Sequence, residues 1–205
     1  MKKTVNYKEA GGGMEHIWTL ENWEKNFDLM DPAHRTGLRL RFDKGTDPEV
    51  RRACLEFSAF LRREYFFPVR VPVYLKNKKK IKCLDGDLAY GTFFRPDSYR
   101  DEPYIRIAVG DYPILYEKWG KDSALTAVLL TFSHELTHYF QWINALDLTP
   151  VGQERQAKNT QDIFWTNTPR PGSIRKFLVG RWVVEAINRR KFYEYEVREL
   201  RVLFF

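Results

Sequence analysis

Residues 134–138 read His-Glu-Leu-Thr-His and carry side chains able to do chemistry. Histidines four apart on a helix stand on one face, so both imidazoles can reach one metal ion. The glutamate next to the first histidine projects beside that ion, where it can take a proton from an activated water. With 4 His in 205 residues, composition alone generates this pattern on the order of once in two hundred chains. The pattern is therefore informative. The surrounding segment is apolar nearly all round (Leu125, Val128, Leu129, Phe132, Leu136, Phe140, Ile143), which marks a buried helix. Two imidazoles and a carboxylate there are costly unless paired or metal-bound. The bland alternative is that the histidines only hydrogen-bond within a core.

A catalytic zinc takes three protein ligands and keeps one position for water. The other histidines, His16 and His34, both lie upstream, so no histidine follows the pair and the three-histidine motif of metzincins is excluded. A carboxylate must complete the set. The candidates are Asp147, Glu154, Asp162 and Glu185. Asp147 lies about two and a half turns up the same helix axis and cannot fold back. Glu154 follows the break at Thr149-Pro150, where a helical hairpin can bring it beneath the histidines. Asp162 falls about two turns further on. Glu185 belongs to a later helix, at pairing distance in sequence from Arg181 and Arg189. Glu154 is the first choice and Glu185 the second.

The elements that must position these residues are legible in part. Leu38–Phe42 alternates apolar and basic residues as a half-buried strand does. Asp47-Pro48 opens a helix whose stripe runs Val50, Ala53, Cys54, Phe57, Phe60 and Leu61, which makes Cys54 an inert core residue. Strand signals follow at Val69–Leu75, Leu88–Phe94 and Tyr104–Val109, with turns between them. The histidine helix is expected from Asp122-Ser123 to about Leu146, and further helices over 151–164 and 174–188. Residues 193–205 read equally as helix or strand. This order describes an α+β domain. Residues 1–30, with a basic start, Gly11-Gly12-Gly13 and a short amphipathic piece near Leu20–Leu29, read as a flexible arm. A single domain then covers 31–205.

The formal net charge is +7, with 43 % hydrophobic and 30 % charged residues. That composition is globular and excludes a disordered or collagen-like chain. No apolar run approaches the roughly 20 residues of a membrane span. The N-terminus lacks a secretory apolar segment, and Cys54 and Cys83 make no disulfide framework. A cytoplasmic protein without membrane contact is the expectation. The run from Lys76 to Lys82 reads as a solvated, lysine-rich hairpin tip. No nucleic-acid-binding motif accompanies it. An acidic protein partner or nucleic acid stays open for that side.

His134-Glu135-x-x-His138 followed by Glu154-Arg155-Gln156-Ala157 resembles the gluzincin metallopeptidases, closest to minigluzincins and the ImmA/IrrE type. The resemblance covers about residues 87–165. It implies a small zincin-like domain, with a twisted, mostly antiparallel sheet packed on a buried active-site helix. It implies one zinc ion held by His134, His138 and Glu154, with Glu135 as general base. It also implies an intracellular zinc metalloendopeptidase acting on a protein or peptide substrate. Gln156 replaces a frequent second glutamate. Lys158 stands where many gluzincins carry an aspartate that orients a ligating histidine, so that role passes to a backbone carbonyl or Asn159. Tyr104–Val109 is expected to be the sheet edge along which an extended peptide pairs. The competing reading is a regulatory or binding module with a weakly active or structural metal site. The absence of a nearby cysteine argues against a closed structural site.

Overall fold

The computed structural model describes residues 16–26 and 35–167, the last seven by backbone alone. The Gly11-Gly12-Gly13 segment, the expected helix at 174–188, the ambiguous 193–205 stretch and Glu185 lie outside the described residues.

The molecule is a mixed α+β structure built on a four-stranded sheet in the order β1-β2-β6-β5. Strand β1 (Leu38–Phe42) leads through helix α1 (Pro48–Glu64) into β2 (Val71–Lys76). Asp47 caps α1 by accepting a hydrogen bond from the Glu49 N–H at 2.8 Å, and Pro48 sits where its missing donor costs nothing. The expected stripe from Val50 to Leu61 is buried.

A helix between two strands returns the chain to its starting end, so β1 and β2 pair in parallel, Leu40 opposite Val73. Next come a small hairpin of β3 (Ile81–Lys82) and β4 (Leu88–Ala89), then β5 (Gly91–Phe94) and β6 (Tyr104–Ala108). β6 pairs in parallel with β2 and antiparallel with β5. The expected mostly antiparallel sheet is therefore corrected, because two of its three pairings are parallel. The cause is topological: α1 and the long 77–103 excursion each bring the chain back to the same end.

Two further expectations change. The lysine run is a bend leading out of β2, and the hairpin tip lies at 83–87 instead. The 88–94 signal splits at Tyr90 into β4 and β5.

Helix α2 (Tyr112–Trp119) follows β6, a helix the periodicity did not announce. Gly120, at φ 82°, separates it from α3 (Lys121–Ile143). α3 lies against the inner face of the sheet with α1, α2 and α4 (Pro150–Asn167) around it. This explains why it is apolar on nearly every side. Leu125, Leu129, Phe132, Leu136, Tyr139, Phe140 and Ile143 are all at most 1 % exposed.

Residues 17–25, assigned from sequence to the flexible arm, are part of this core. They form two short 3-10 turns that bury Ile17, Trp18 and Trp23. The Trp18 indole donates to the Thr137 hydroxyl at 3.0 Å and stacks on Phe140. The Trp23 N–H donates to the Asn144 side chain at 3.3 Å. Single turns of this kind leave no helical or strand period to read.

Candidate metal centre

The hairpin between α3 and α4 assembles the site. The Leu146 N–H closes back on the Gln141 carbonyl at 3.1 Å, with Ala145 in the left-handed region at φ 49°. This is a Schellman stop. Thr149 then caps α4 through its side chain, accepting from the Gly152 N–H at 3.1 Å. Ala157 on α4 is fully buried, and its small side chain lets α4 approach closely.

Glu154 thereby reaches both histidines. His134 Nε2 and His138 Nε2 are 3.1 Å apart. Glu154 Oε2 is 3.2 Å from the first and Oε1 is 3.3 Å from the second. Four ligands at the zinc–nitrogen and zinc–oxygen distance of roughly 2.0–2.1 Å define a tetrahedron with edges of about 3.3–3.4 Å. The histidine pair and each histidine's contact to one Glu154 oxygen lie near that figure, and one ligand atom from each of the three residues lies within 4.8 Å of the others, so the trio could hold a single small cation. Among the described residues, this trio is the only cluster of its kind. Asp147 is not part of it, and Asp162 sits two turns further along α4, about 12 Å away along the axis.

The hydrogen-bond network supports the same reading. The Gln141 amide nitrogen donates to the Gln153 carbonyl at 2.9 Å and to Gln156 Oε1 at 3.1 Å. Its Oε1 must therefore accept, and it takes the His138 Nδ1–H at 2.8 Å. That assignment leaves His138 Nε2 as a bare lone pair directed at Glu154 and His134. In the neutral ring that lone pair faces a carboxylate, a contact that either a proton or a metal cation placed between them relieves.

The titration behaviour agrees. Burial pulls the His138 pKa down, yet hydrogen bonding to Glu154 and the charges of Glu135 and Glu154 raise it overall. Hydrogen bonds from His134 and His138 hold the Glu154 carboxyl well below the usual range. A metal binding at these atoms competes with protons for them.

Gln141 is a functional residue that sequence reasoning missed. The orienting role, assigned beforehand to a backbone carbonyl or Asn159, belongs for His138 to Gln141, while Lys158 and Asn159 point to solvent. The available signal was a polar residue one turn past the second histidine on an apolar helix. Gln156, the departure from the resembling family, accepts the other end of the same amide.

Glu135 is 5 % exposed, and burial pushes its carboxyl pKa up despite the two histidines. It packs on β5 at Gly91. A Cβ there would lie 2.5 Å from Glu135 Oε1 and 2.8 Å from Thr131 Cγ2, so only glycine admits the carboxylate at that point. This requirement too was invisible in sequence.

The trio and Glu135 line an open groove of about 1300 Å³. Trp142 and Tyr99 form one wall, and Leu84 and Leu88 on the β3–β4 hairpin project beside it. The strand bordering the groove is β5, at the edge of the sheet. The expectation for 104–109 is corrected: β6 is paired on both sides, because the chain doubles back and gives the edge to β5. Comparison with protein-family models, curated proteins and solved structures finds no match to this chain.

Proposed function

We propose that the protein is a zinc-dependent peptide hydrolase. The observation that carries this reading is the convergence of His134, His138 and Glu154 within reach of one ion, beside the buried carboxylate of Glu135, in one open groove. Two imidazoles and a carboxylate suit zinc, and three ligands leave a position open. When bound, zinc supplies Lewis acidity that makes a water nucleophilic at neutral pH and polarises a carbonyl.

The chain does the rest. Glu135 receives the proton of the attacking water on its carboxylate and returns it to the leaving amine. Its burial between β5 and α3 keeps bulk water from competing for that carboxylate. Gln141 holds the His138 ring in the tautomer that presents Nε2. The edge of β5 away from β6 offers backbone donors and acceptors to an extended peptide.

The test is the Glu135→Gln variant beside wild type. Metal analysis should find about one zinc per chain in both. Cleavage of a peptide library should fall by about two to four orders of magnitude in the variant. Loss of zinc from Glu135→Gln, or equal cleavage by both proteins, contradicts the assigned role.

A further inference from the structure

The outer face of the sheet has no helix packed on it among the described residues, since α1 and α3 both lie on the inner face. Its residues form a regular array. Arg41 stands opposite Tyr74, Tyr74 opposite Arg106, and Arg106 opposite Thr92. In the neighbouring row Tyr104 stands opposite Phe94, and Arg39 lies at the β1 end.

The rings are ordered against one another. Phe94 and Tyr104 stack at 4.7 Å, and Tyr74 meets Tyr104 edge-on at 6.2 Å. Tyr74 is 37 % exposed, one of the large apolar side chains that the described residues leave open to solvent. The Arg106 guanidinium is fixed by hydrogen bonds to Thr92 Oγ1 and the Lys82 carbonyl, each 3.2 Å long, and lies over the Tyr104 ring.

The charge on this face is one-sided. Arg39, Arg41 and Arg106 form no ion pair among the described residues. Of the bordering carboxylates, Asp43 and Glu102 are already paired with Lys76 and Arg70, and Asp85 and Asp87 lie on the hairpin beside Arg106. The lysine bend at 77–82 adjoins the same side. Residues 168–205 carry nine Lys and Arg against four Glu, a net charge of the same sign as this face.

We infer that this face binds single-stranded nucleic acid, with bases stacked on Tyr74, Phe94 and Tyr104 and phosphates held by Arg39, Arg41 and Arg106. Open sheets that bind RNA stack two or three bases on rings placed in this way. Stacking on aromatic rings with arginine along the backbone is the general chemistry of sequence-tolerant single-strand binding. An acidic protein would use the arginines but has no need of ordered rings. The groove of the metal site wraps round β5 to include Phe94, Tyr104 and Arg106, so a bound strand would lie at its rim. The inference stands independently of the hydrolase reading.

The experiment uses the full chain carrying Glu135→Gln and stripped of metal, which separates it from any question of hydrolysis. Anisotropy of fluorescein-labelled oligodeoxyuridylate and oligouridylate of roughly 20 nucleotides is measured at rising salt. Expected is binding that weakens steeply with salt, a preference between the two oligomers showing whether the 2′-hydroxyl is read. Tyr74→Ala should weaken it by at least about fivefold, and Tyr74→Phe should restore it. Arg41→Glu should weaken binding and flatten the salt slope. Arg63→Glu, the same charge change at an exposed site on α1, should leave it within about twofold.

Circular dichroism confirms that each variant is folded. Four results overturn the inference: no binding of either oligomer at low salt, a Tyr74→Ala variant equal to wild type, Arg63→Glu as harmful as Arg41→Glu, or polyglutamate competing as well as the unlabelled oligomer.

Discussion

On the inner face of the sheet, Val73, Leu75, Ile105 and Ile107 are fully buried against helices. The polar groups admitted there have defined partners: Tyr139 bonds the Val69 backbone, Thr137 receives Trp18, and Gln141 spans three groups. On the outer face of the same sheet, Arg39 and Arg41 of β1 are exposed and form no ion pair among the described residues. Alternation along each strand produces both surfaces from one sequence. Burial penalises an uncompensated polar group heavily, so those polar side chains on the inner face have defined partners. Exposure imposes no such demand, so an unpaired cation there signals only a field. Ordered aromatic rings beside it are what turn that field into a surface with a preference.

The contrast breaks first on stability. Phe132→Ala on α3 empties a fully buried site packed edge-on against Phe57, and should cost about 3–5 kcal/mol. Tyr74→Ala on the outer face removes a ring of similar size and should cost no more than about 1 kcal/mol. Urea melts at constant slope measure both. Equal costs would mean that something covers the outer face in solution.

The second prediction sharpens the chemistry of the inner face. Glu154→Ala removes the proposed third ligand and should lower zinc affinity by more than about a hundredfold, whereas Gln141→Leu removes the bond to His138 together with those to Gln153 and Gln156 and should cost about 10–100-fold. Asp162→Ala should stay within a few-fold. Competition with a chromogenic chelator reads all three. A Gln141→Leu loss equal to that of Glu154→Ala would mean that Gln141 holds α4 in place rather than orienting His138.

These predictions also mark what the sequence could supply. Spacing alone put His134 and His138 on one helical face, because a helix has one period, and the Thr149-Pro150 break made Glu154 reachable. Gln141, Gly91 and the edge position of β5 depend on which elements meet in space, and nothing in a local window encodes that. Trp18 and Trp23 were hidden for a related reason: their burial comes from α3, over 100 residues away. Strand existence was readable from alternation. Strand direction was not, because it depends on what α1 and the 77–103 excursion do between strands.

The smallest expected effect lies at the joint between the α3 and α4 helices. Ala145 adopts φ 49°, where its Cβ crowds the following carbonyl. The Schellman stop requires that conformation, since the Leu146 N–H must reach the Gln141 carbonyl. Ala145 is exposed, so its methyl group contributes little packing. Ala145→Gly should therefore remove the strain and stabilise the fold by about 1 kcal/mol, less the extra freedom glycine gives the unfolded chain. Because the substitution leaves the backbone path unchanged, zinc affinity should stay within about twofold of wild type. A thermal melt and a metal titration on the same sample test both halves. A stabilised variant with weakened zinc binding would show that strain at Ala145 helps to set the reach of Glu154. A destabilised one would show that the turn is held by contacts other than its own hydrogen bonds.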